Sequence, residues 1–77
     1  MSESLTTTVA AEVRAEMARQ RRSQRQVADA LGVSNTYVWR RLTGEVAFDL
    51  TELEAVAAYL DRPVDQFMRR TEHGSAA

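Results

Sequence analysis

Asn35, Thr36, Tyr37 and Arg40 fall close together in the run SNTYVWRRL. An asparagine amide can pair through one donor and one acceptor with the N6 and N7 edge of adenine. A threonine can bond a base edge or lay its methyl on thymine. An arginine fork matches guanine O6 and N7, or a phosphate. Such groups make no bonds and break none. They suit the reading of base edges, provided one short helix carries them into a major groove. Groups suited to phosphate flank them: the side chains of Arg22, Gln24 and Arg25 before and of Arg41 after, with the backbone at Thr43 and Gly44. Arg41 has a second reading, lying along the edge of the core with its charged end in water. Singly, each residue also has a plainer role, with Ser23 and Ser34 as caps and Asn35 as a turn residue. The informative feature is their order.

That order requires two short helices and a tight corner. Ser23 can cap one helix, with Gln26 three residues on reaching back to complete a capping box. Val27, Ala28 and Leu31 give this helix its buried face. Gly32 fits a left-handed C-cap, and Ser34 caps the next helix two residues later. With so short a link the two helices must cross steeply, and Val33 plugs the corner. The second helix runs over about Asn35–Leu42 and buries Val38 and Leu42, which turns Asn35, Thr36, Arg40 and either Tyr37 or Arg41 elsewhere; Gly44 ends it.

The remaining elements supply a core. A first helix is expected from about Thr8 to Arg21, with Val9, Val13 and Met17 repeating every four residues. Asp49 and Glu52 form another capping box, with Phe48 as a staple, opening a helix that buries Leu53, Val56, Ala57 and Leu60. Asp61-Arg62 breaks it. Pro63 suits the first turn of a fifth helix bearing Val64, Phe67 and Met68. Those three side chains either finish the core or form a dimer surface. Trp39 also has two readings. Its ring packs against the fourth helix or the 45–48 loop, which is the preferred expectation, or it lies at the domain edge against deoxyribose or a partner subunit.

The chain of 77 residues carries a net charge of -1, which by itself does not suggest nucleic acid. The distribution does. Residues 14–44 hold seven arginines against Glu16 and Asp29, leaving +5, whereas residues 45–77 hold three against seven acids, leaving -4. There is no cysteine, so disulfide, thiolate and Cys-zinc chemistry are excluded. The one histidine, His73, sits in a Gly-Ser-Ala-Ala end and reads as a solvated side chain. No paired carboxylates or nucleophile-base set suggest an enzyme. No cofactor, metal site or small-molecule effector is expected. No apolar run approaches a membrane span and no signal peptide is visible, so a cytoplasmic location is expected.

The run SQRQVADALGVSNTYVWRRLTGE, followed by FDLTELEAVAAYLDRPVDQFM, resembles the XRE/Cro-type helix-turn-helix family, the group that includes small phage repressors and Cro proteins. The resemblance spans roughly residues 9–68. It implies an all-α, compact five-helix lambda-repressor-like domain. It gives Gln24 the role of contacting phosphate and supporting the recognition helix, and it gives Asn35, Thr36, Tyr37 and Arg40 the base contacts. The chain departs from the family pattern at Trp39, where serine or another small residue is usual, and at Arg62, which replaces the usual glycine.

The expectation is therefore one DNA-binding domain over residues 8–70, with flexible tails at 1–7 and 71–77. It would act as a transcriptional regulator, a Cro- or immunity-type repressor, as a homodimer on a palindromic operator of double-stranded DNA. The alternative is an antitoxin-like or other protein-interaction module in which DNA binding is secondary or absent.

Overall fold

A computed structural model describes residues 5–68. Five helices follow one another: α1 Leu5–Gln20, α2 Gln24–Leu31, α3 Asn35–Leu42, α4 Leu50–Leu60 and α5 Asp65–Met68. The all-α, five-helix expectation is met. α1 starts at Leu5, earlier than the expected Thr8. Threonines cost a helix only about 0.5 kcal/mol each, too little to keep the chain from extending it. The expected 71–77 tail and His73 lie outside the described residues.

Local capping dictates where α2, α3 and α4 begin. Ser23 accepts from the Gln26 amide while the Gln26 side chain accepts from the Ser23 amide. Asp49 and Glu52 make the same reciprocal pair at α4. Ser34 accepts from the Tyr37 amide at α3. Each cap satisfies amides that the first helical turn leaves free, a contribution of about 1 kcal/mol.

Residues with positive φ follow four helices, Gly44 at φ 86 beyond α3 among them. Gly32 takes φ 72 after α2, as its lack of a Cβ allows. After α1 the position is Arg21 at φ 58, and after α4 it is Asp61 at φ 59. The α4–α5 turn thus does need a left-handed residue. It is Asp61, a residue type that tolerates that region better than most, and not the Arg62 that stands in for the usual glycine.

Val9, Val13 and Met17 of α1 meet Val27 and Ala28 of α2, Val38 and Leu42 of α3, Leu53, Val56, Ala57 and Leu60 of α4, and Phe67 of α5 in one core. Leu31, Val33, Phe48 and Val64 pack around it. Phe67 is fully buried and Val64 partly so, while Met68 is exposed. Phe67 thus finishes the core, the first of its two expected roles. Its ring occupies the centre of the protomer's own core, where burying it contributes roughly 3 kcal/mol.

Candidate nucleic-acid interface

The helix carrying Asn35, Thr36 and Arg40 is held from three sides. At its N-terminus, Gln24 Nε2 of α2 donates to the Asn35 carbonyl at 3.1 Å. At its C-terminus, the Arg14 guanidinium of α1 donates to the Leu42 carbonyl. A cation there satisfies an orphan carbonyl and suits the negative end of the helix. On its flank, the Tyr37 hydroxyl donates to Glu52 of α4, and Arg41 Nε lies 3.3 Å from Glu52 Oε1. The Arg41 guanidinium also stacks 3.7 Å from the centroid of the Tyr37 ring. Below these bonds, Val38 and Leu42 anchor the helix in the core.

The residues expected at the DNA accordingly divide into two groups. Asn35, Thr36 and Arg40 are exposed. Arg40 is paired only loosely, 3.6 Å from Glu45 in an exposed ion pair. Tyr37 and Arg41 are instead turned inward and share Glu52, with the Arg41 side chain only 15% exposed. For Arg41 this is the core-edge reading. Thr43 is exposed but caps α3, its hydroxyl donating to the Arg40 carbonyl and accepting from the Glu45 amide. Gln24 does brace Asn35. Arg25 is exposed, and Arg22 lies above the Tyr59 ring at 5.4 Å.

Less of this charge is free than the sequence count gives. Three of the seven arginines in residues 14–44 serve the fold: Arg14 at Leu42, Arg19 at Glu16 and Arg41 at Glu52. The exposed cations near the start of α2 are Arg21, Arg22 and Arg25. Net charge per segment overstated what is available to an anionic partner.

Trp39 keeps both of its expected readings open, being half covered by the protein and half in solvent. Its side chain is 50% exposed and stands outside the core. Two residues went unnoticed in the sequence, Arg14 and Glu52 in their role of positioning α3. Arg14 gave no signal, being 28 residues from its partner. Glu52 was visible as a cap, but not as a clamp.

A cavity of about 180 Å³ opens beside the clamp between Val33, Val38, Phe48 and Ala55. Of the polar residues on its wall, Tyr37 and Arg41 both donate to Glu52, and Thr51 lies beside them. Among the described residues there is no cluster of three or more potential metal ligands, and no helix is long and apolar enough to cross a membrane.

Residues 8–69 match the family described as "Helix-turn-helix domain". No curated protein and no solved structure matches the chain.

Proposed function

The chain belongs to the helix-turn-helix domain family, of the XRE/Cro type, whose members are DNA-binding regulators and not enzymes, and from that premise we propose that it is a sequence-specific repressor of transcription, acting in the cytoplasm through residues 8–70. The observation that carries this reading is α3: a helix restrained by α1, α2 and α4, with Asn35, Thr36 and Arg40 left in solvent. That arrangement suits a helix whose tip enters a major groove. Asn35, Thr36 and Arg40 contact bases. Arg22, Gln24, Arg25 and Thr43 contact phosphates. Tyr37 and Arg41 act from behind, through Glu52.

At 1.5 Å per residue, the eight residues of α3 reach only about 12 Å, a few base pairs. Two copies on a palindromic operator would double the contacts, with half-sites one helical turn apart. A protein-interaction module would require a continuous apolar surface. The exposed large hydrophobics among the described residues, Trp39, Leu50 and Met68, instead lie on three different helices.

Selection of bound duplexes from a random library at moderate salt, followed by footprinting, tests the reading. A preferred, two-fold-related site is expected. Arg40→Ala should relax preference at one base position per half-site. Arg25→Ala should weaken binding to all duplexes alike and reduce the salt dependence by about one phosphate contact. Recovery of no preferred sequence would show the proposal to be wrong.

A further inference from the structure

Trp39 is a large apolar ring on the exposed side of α3. At about 100° per residue, Trp39 stands about 40° around the helix from Asn35, Thr36 lies about 60° beyond Trp39, and Arg40 closes the arc about 40° after Thr36. Burial follows the same geometry. Val38 and Leu42 are buried, Tyr37 and Arg41 are half-buried, and Asn35, Thr36, Trp39 and Arg40 are exposed. Trp39 therefore lies inside the exposed arc, between Asn35 and Thr36, on the side nearer buried Leu42. Long side chains on a helix lean back towards its N-terminus, which directs the indole to the tip bearing Asn35 and Thr36. A half-exposed indole among polar neighbours leaves apolar area in water that a partner can cover.

We propose that Trp39 is a specificity-determining DNA contact, with its indole packed against a thymine methyl in the major groove beside the bases met by Asn35 and Thr36. The inference rests on the DNA-binding reading above and adds a residue and a base to it. Among base edges in the major groove, the thymine C5 methyl is the apolar one. The ring face supplies apolar area, and its N–H is left to donate to a neighbouring acceptor. Duplex DNA is the occupant favoured here because the surrounding face is polar and continuous with the proposed base contacts. A second protein chain would be expected to require an apolar surround.

The chain has one tryptophan, so indole emission reports on this residue alone. The test uses the full chain and the duplex recovered by selection. Acrylamide quenching of Trp39 should fall when the preferred duplex binds, and fall less with a scrambled duplex. Trp39→Ala should lose about tenfold in affinity for the preferred duplex, the loss of one base position, with helicity retained because the site is exposed. Replacing thymines one at a time by uracil removes the methyl alone. One replacement should weaken the unmodified protein and leave Trp39→Ala unaffected. A preferred duplex that binds without protecting the indole, or that Trp39→Ala binds as well, overturns the inference and leaves the DNA-binding reading standing. Protection that grows with protein concentration in the absence of DNA assigns the ring to a subunit contact and also overturns it. Recovery of no preferred duplex would sink both.

Discussion

α5 and α3 are secured by the same two devices, apolar side chains in the core and a carboxylate from another helix, but the carboxylates hold different things. Glu16 of α1 is buried and faces α4 and α5. It accepts from Arg19, Gln20 and Gln66, and Gln20 also donates to the Leu60 carbonyl. Glu52 of α4 is less enclosed and faces α3, where it accepts from Tyr37 and Arg41 while capping its own helix. The Glu16 cluster closes the back of the domain. The Glu52 cluster ties α4 to the helix proposed to read DNA. Disturbing the first should cost stability and spare sequence preference, whereas disturbing the second should cost less stability and alter preference.

The largest effect is expected at the back of the domain. Phe67→Ala removes a fully buried ring from a small core and should destabilise the fold by roughly 4 kcal/mol. Urea unfolding followed by circular dichroism measures this. If Phe67 served a dimer contact instead, the loss would shrink at low protein concentration, where dimers dissociate. A concentration-independent loss is expected.

Glu16 comes next. Hydrogen bonds from Gln20 and Arg19 hold its carboxyl at about 2, down from 4.5, against the opposing effect of burial. A carboxyl whose folded pKa lies below its unfolded value adds stability that is fully present above about 4.5 and is lost as pH falls towards about 2. Glu16→Gln should cost roughly 2 kcal/mol at neutral pH and flatten the acid limb of stability between those two values. Melting temperatures of both proteins across that range provide the check. Equal slopes would mean that other groups govern acid unfolding. Preference for the selected duplex should be unchanged.

The difference between the clusters also shows what the sequence can disclose. Ser23 with Gln26, and Asp49 with Glu52, were legible because a cap and its partner lie three residues apart and obey local geometry. Val38 and Leu42 were legible because helical period alone places them inward. Gly32 declared its left-handed turn, whereas Arg21 and Asp61 adopt the same conformation without the glycine that would mark it. The Glu16–Gln66 bond spans 50 residues and the Arg14–Leu42 bond 28. No periodicity or spacing encodes such pairs, since they exist only once helices have met. The same limit explains Tyr37 and Arg41. Their types and positions fit a DNA contact, and only the placement of α4 shows that they face Glu52.

Glu52→Gln is the smallest and most discriminating of these changes. The amide keeps the size of the side chain and can still accept from the Asp49 amide, so the cap survives in part. It removes the charge that attracts Arg41, whose guanidinium is mostly enclosed and stacked on Tyr37. A pair this sheltered is worth more than a surface ion pair, yet Arg41 retains its contact with the ring, so roughly 1 kcal/mol of stability should be lost. The effect on binding should be disproportionate. Tyr37 and Arg41 are the residues by which α3 bonds to α4, and base contacts depend on side-chain placement to within about 0.5 Å. Affinity for the selected duplex should fall while affinity for single-base variants falls less, which narrows discrimination. Phosphate contacts made by α2 should be spared, leaving the salt dependence of binding as it was. Parallel titrations of the Glu16→Gln and Glu52→Gln proteins against the same duplexes decide the matter. If both keep full discrimination, α3 is positioned by Val38 and Leu42 alone, and the two carboxylates differ only in how much stability each contributes.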